Sequence, residues 1–79
     1  MKVKLFYKKA CPRCPAAKEL VKETSNVEYF NVENVDGLSE ATYYGVLSTP
    51  SIIVLDDNNN PVKEWFGEVP SAEEYSKWL

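Results

Sequence analysis

The sequence predicts a small α/β fold of order β-α-β-α-β-β-α, a four-stranded mixed sheet with helices on both faces. Three observations predict it. Short β-rich runs alternate with runs whose apolar residues recur at helical spacing, the pattern of strands joined through helical crossovers. One run, "PSIIVLD" (Pro50–Asp56), is apolar almost without interruption, as a strand covered on both faces must be. The last two β-rich runs are separated only by "DNNNP" (Asp57–Pro61), a turn composition that makes them a hairpin.

Each element follows in order. "KVKLFYK" (Lys2–Lys8) alternates basic and apolar residues through Val3 and Leu5, then turns apolar at Phe6 and Tyr7, and reads as a strand. "CPRCPAAKELVKET" (Cys11–Thr24) reads as a helix with Ala17, Leu20, Val21 and Thr24 on one face. Pro12 suits its first position, where a missing N–H costs nothing. Pro15 disfavours helical geometry at Cys14, so a strained or bent start is expected. "VEYFNVE" (Val27–Glu33) is the second strand. "DGLSEATYYGV" (Asp36–Val46) reads as a short helix striped by Leu38, Ala41 and Tyr44 or Val46, ended by Gly45. Pro50–Asp56 is the buried central strand and "VKEWFGE" (Val62–Glu68) its hairpin partner. "SAEEYSKWL" (Ser71–Leu79) opens with a capping-box pattern, Ser71 to Glu74, and continues at helical spacing. Trp65, Phe66, Trp78 and the tyrosines are expected to be core or half-buried packing.

The chain has 79 residues, enough for one modest core and one domain over residues 1–79. Twelve acidic residues against nine basic argue against a general nucleic-acid binder, and no nucleic-acid partner is expected. The balance is uneven, because Lys2, Lys4, Lys8, Lys9, Arg13, Lys18 and Lys22 crowd the first third. No apolar run suits a signal peptide or a membrane span, so a cytoplasmic monomer without membrane contact is expected.

Chemistry concentrates in "KKACPRCPAAKELV" (Lys8–Val21), which holds both cysteines, Cys11 and Cys14. In a βαβ setting a C-x-x-C pair reads as a redox motif. A cysteine where a helix starts faces unpaired N–H groups and the positive end of the helix dipole, which favour the thiolate. Such thiols titrate between roughly 3.5 and 7.5, against ~8.5 for a free thiol. Arg13, Lys8 and Lys9 add positive charge. Cys14, about one turn on, is placed to attack a mixed disulfide formed on Cys11. Other readings stand beside this one. A structural staple closes too small a loop to gain much. A mononuclear zinc site wants four ligands, and the chain has two cysteines and no histidine. Two chains pooling four thiolates around a metal or iron–sulfur cluster, or a copper carrier, use the same sulfurs. "DDNNN" lacks the glycine and distal glutamate of a calcium loop.

A second signal lies in "YGVLSTPS" (Tyr44–Ser51), where Thr49-Pro50 immediately precedes the buried strand. The bland reading is a trans proline at a strand boundary. The sharper one is a cis bond beside Cys11, with the backbone of Thr49 offered to a substrate as a short added strand.

With "CPRC" after the first strand, "YGVLSTPSIIVL" and "FGEVPSAEEYSKWL", the chain resembles the thioredoxin/glutaredoxin superfamily over its whole length. It is most similar to the small glutaredoxin-like thioredoxins of archaea and anaerobic bacteria. The resemblance implies a minimal thioredoxin fold and a protein-disulfide reductase with no cofactor beyond the Cys11–Cys14 disulfide. It implies Cys11 as the attacking and Cys14 as the resolving cysteine, with Pro12 and Arg13 supporting them. Pro50 would be the cis proline, Thr49 would pair with substrate, and Gly67 would allow close approach. Lys8 matches a lysine position that contacts glutathione in glutaredoxins. Implied partners are disulfide-bearing proteins and a thioredoxin-reductase-like electron donor. Two departures stand out. Ala10 and Leu5 occupy places where thioredoxins usually have tryptophan and a buried aspartate, so the usual proton acceptor for Cys14 is missing. The Gly-Gly pattern that holds glutathione is also missing, since Glu68 follows Gly67. A glutathione-dependent glutaredoxin and a metal or cluster carrier are the alternatives.

Overall fold

The computed structural model describes residues 1–79 as β1 (Lys2–Tyr7), α1 (Cys14–Val21), β2 (Val27–Asn31), α2 (Val35–Tyr44), β3 (Ser51–Leu55), β4 (Pro61–Phe66) and α3 (Ala72–Ser76). The expected order and the mixed four-stranded sheet are present. Strands lie in the order β2-β1-β3-β4. β1 runs parallel to β2, with Val3 opposite Val27, and antiparallel to β3, with Phe6 opposite Ser51. β3 and β4 form the antiparallel hairpin, with Ser51 opposite Phe66. No helix is long and apolar enough to cross a membrane.

Alternation along the central strands builds two cores. Val3, Leu5, Ile52, Val54 and Trp65 face Ala17 and Val21 of α1 and Tyr75 of α3. Phe6, Ile53 and Leu55 face Ala41 of α2 and Val46 beyond it. All five residues of β3 are buried, which is why its sequence is so apolar. Each large side chain so buried stabilises the fold by roughly 1.5–3 kcal/mol before ordering costs. The aromatic expectation divides: Trp65 and Tyr75 are buried, but Tyr29, Tyr43 and Phe66 are exposed.

Element ends follow local chemistry. Gly45 ends α2 in the left-handed region as expected, its N–H returning to Ala41 and Thr42 carbonyls. Ser71 caps α3 by accepting the Glu74 N–H at 3.1 Å. The reciprocal half of the capping box is not made; the Glu74 carboxylate instead accepts from the Trp78 indole at 3.1 Å. In the hairpin turn, the Asp56 carboxylate accepts the N–H groups of Asn58 and Asn60, each at 2.9 Å.

Alternating basic and apolar residues usually mean that the basic ones face water, but Lys4 is buried beneath α2 at 8% exposure. Its ammonium donates to Glu28 at 2.9 Å and Glu40 at 2.7 Å, joining β1 to β2 and α2. Desolvation alone would lower its pKa, but hydrogen bonds to both carboxylates and their charge outweigh it, and the value is raised. The Lys4 hydrogen bond holds the Glu28 carboxyl below its ordinary value. Such a depressed carboxylate contributes stability above its unfolded pKa, and that contribution disappears as pH falls through the folded value. Glu28→Gln therefore destabilises the protein at pH 7, by well under 1 kcal/mol because Glu28 is partly solvated. The difference from the unsubstituted protein shrinks below about pH 4, as urea titrations across pH will read.

Gly37 lies in the first turn of α2, where the helix rests on the end of β2. A Cβ there would collide with the Asn31 carbonyl oxygen, a backbone atom that cannot swing aside. Gly37→Ala should cost about 3 kcal/mol or more, read as a lowered urea midpoint at unchanged slope.

Candidate active site

The register of β1 against β3 sets the site. Because Phe6 lies opposite Ser51, the chain leaving β1 arrives beside the segment entering β3. Because Ser51 also lies opposite Phe66, the chain leaving β4 arrives at the same place. Cys11, Thr49–Pro50 and Gly67, far apart in sequence, all belong to segments at this end of the sheet.

Cys11 and Cys14 are joined in a disulfide, with Cα atoms 5.4 Å apart. The turn is closed by the Cys14 N–H donating to the Cys11 carbonyl at 3.4 Å. Cys11 is 7% exposed and Cys14 2%, so Cys11 is the more accessible of two nearly covered sulfurs.

The helix begins at Cys14, not Cys11, and this corrects the expected roles of the prolines. Pro12 lies in the turn before the helix. Pro15 stands in the first helical turn, where its missing N–H needs no partner. Arg13 is the residue before the helix and caps nothing with its side chain. Its guanidinium instead donates to the Gly67 carbonyl at 2.7 Å, bridging the cysteine turn to the chain leaving β4. The basic N-terminal third is similarly dispersed. Lys18 lies over the Tyr7 ring at 3.9 Å and Lys22 pairs with Glu19 at 2.6 Å. Lys8 and Lys9 are exposed and in no ion pair.

The Thr49–Pro50 peptide bond is cis and Pro50 is buried. Neither the N–H nor the carbonyl of Thr49 has a partner within the chain. Beside Thr49 runs a groove of about 330 Å³, lined by Leu38, Thr42, Val46 and Leu47, with Lys8 at its side. Neither cysteine lines it, so it extends away from the disulfide rather than enclosing it. Gly67 follows β4 with φ of 72°, and a Cβ there would come 2.7 Å from the Ser48 hydroxyl. Its conformation requires glycine, and any side chain there would also displace the Ser48 hydroxyl.

Leu5 is fully buried in the core that packs against α1, and the buried polar side chains of the protein are Lys4 and Ser51 alone. No carboxylate therefore lies in the core to receive a proton from Cys14. Sequence reasoning passed over Ser48 and Ser51, which contact the Gly67 segment. The available signal was a serine opening a run that is otherwise apolar as far as Asp56.

A family model described as a thioredoxin domain matches residues 1–79. A thioredoxin of Methanocaldococcus jannaschii is 38% identical over 64 residues, which cover 72% of this chain and 73% of that protein. Among solved structures, thioredoxin 1 from Thermosipho africanus TCF52B aligns with a TM-score of 0.72 at 22% identity, covering 98% of this chain and 88% of that one. A malarial protein aligns with a TM-score of 0.75 at 19% identity, covering 96% and 89%. At these identities the structural likenesses speak for the fold.

Proposed function

This chain belongs to the thioredoxin family and is a thiol–disulfide oxidoreductase, and from that premise we propose that it reduces protein disulfides, in the manner of a thioredoxin rather than a glutathione-dependent enzyme. The observation that carries this reading is the placement of the Cys11–Cys14 pair at the same sheet end as Thr49, whose N–H and carbonyl are both unpaired. A polypeptide carrying a disulfide has a backbone to pair there; a small disulfide does not.

In the reduced enzyme, the Cys11 thiolate attacks one sulfur of the substrate disulfide. The other substrate sulfur leaves as a thiolate and takes a proton from water. Cys14 then loses its proton and attacks the Cys11 sulfur of the mixed disulfide, releasing the second substrate thiol. Two electrons pass to the substrate, and the Cys11–Cys14 disulfide remains. With no buried carboxylate in the chain, the Cys14 proton passes to water or to a solvent-exposed carboxylate. A reductase with a dithiol of its own returns the two electrons. Pro12 and Arg13 hold the cysteine turn, Pro50 packs at the mouth of β3, and Gly67 lets the adjoining segment approach.

Lys8 beside the groove favours a second reading, in which glutathione binds with a carboxylate at Lys8. Against it, the exposed Glu68 carboxylate follows Gly67, where a glutathione site needs neutral or donating groups. Against a metal-carrying role within one chain, no group of three or more potential ligands converges.

Cys11→Ser should reduce turnover of a protein disulfide to the rate of uncatalysed exchange. Cys14→Ser should stop turnover but accumulate a one-to-one mixed disulfide with substrate, seen by mass spectrometry. If Cys11→Ser stays active while Cys14→Ser does not trap substrate, the roles are wrong. If turnover requires glutathione and no protein reductase supports it, the second reading replaces the first.

A further inference from the structure

Ser51 is the only polar residue of β3, and it is completely buried. A hydroxyl in such a place costs stability unless it is hydrogen-bonded, and alanine or valine would satisfy the packing without that cost. The hydroxyl is used twice, each time on a segment of the active site. It donates to the Ser48 carbonyl at 2.8 Å and accepts the Gly67 N–H at 3.2 Å. The Gly67 carbonyl accepts the Arg13 guanidinium at 2.7 Å. A continuous chain of hydrogen bonds thus runs from between the two cysteines, through Gly67 and Ser51, to the residue before Thr49.

The segment leading into β3 depends on this chain. From Leu47 to Thr49 no backbone group makes a backbone hydrogen bond, and the only bond to the segment is the one Ser48 accepts from Ser51. Leu47 is 98% exposed, so packing does not hold it either. We propose that Ser51, with Arg13 at the outer end of the chain, is a positioning residue that holds the Thr49 backbone in register with Cys11. It thereby governs capture of disulfides carried on a peptide backbone, not the exchange of sulfur itself. The inference rests on the proposed reduction of protein disulfides and adds the group that makes the pairing edge rigid.

The test compares two substrates: a short peptide closed by one disulfide, and bis(2-hydroxyethyl) disulfide, which has no backbone to pair. Kinetics are measured where circular dichroism shows each variant folded. Ser51→Ala removes both hydrogen bonds of the hydroxyl, and loss of the one that holds the Ser48 carbonyl predicts a KM for the peptide raised roughly 10-fold, with kcat little changed. The KM for the small disulfide should stay the same, and Ser51→Thr, which keeps the hydroxyl, should restore the peptide KM. If Ser51→Ala does not fold, Arg13→Met removes the exposed end of the chain and should raise the peptide KM several-fold more than the KM of the small disulfide, since any effect on the cysteine turn itself is common to both substrates. An unchanged peptide KM in the folded variants, or an equal change for both substrates, overturns the proposal. An unsubstituted enzyme that reduces the small disulfide but no peptide or protein overturns the proposed function, and this inference with it.

Discussion

One row of residues across the sheet organises the molecule. Ser51 lies opposite Phe6 on one side and Phe66 on the other. Three chain segments leave the sheet from that row: the cysteine turn after β1, the Thr49–Pro50 segment before β3, and Gly67 after β4. A register slip by one residue would turn Ile52 and Val54 out of one core and Ile53 and Leu55 out of the other. It would also part the cysteines from the backbone beside which they work. Burial of β3 on both faces forbids that slip, so the packing that stabilises the fold also sets the geometry of the site.

Charge is handled differently at the two places where it enters the structure. Lys4 goes under α2 with two carboxylate partners, and its charge is matched locally. The active site instead has no buried charge. Leu5 is buried in the apolar core behind α1, Arg13 is bound to a backbone carbonyl, and Lys8 stands in water beside the groove.

The order of elements was legible because it rests on local periodicity, and the cysteine pair because its chemistry is written in four consecutive residues. Element identity survived even where ends moved: the expected place for a proline in the first helical turn was Pro12, but α1 starts at Cys14 and Pro15 holds that place, where a missing N–H is equally tolerated. What could not be read depended on partners distant in the chain. Lys4 alternates like a water-facing residue and is buried only because Glu28 and Glu40 meet it. Arg13 looked like charge for the thiolate and is engaged by a carbonyl 54 positions away. Ser51 looked like a neutral interruption in an apolar strand, since its use depends on two loops meeting over it. Tyr43, expected to pack, stands 80% exposed on α2.

The central claim is that Cys11 and Cys14 form a reversible two-electron couple with the poise of a thioredoxin. The most direct test is the reduction potential of the pair, equilibrated against a thiol buffer of known potential and read by thiol trapping. The account predicts one two-electron transition at about −270 mV, the thioredoxin value, rather than the roughly −200 to −230 mV of glutaredoxins. A value in the glutaredoxin range would move the chemistry toward glutathione. The absence of any reversible couple would contradict the account outright and leave the two sulfurs to a metal.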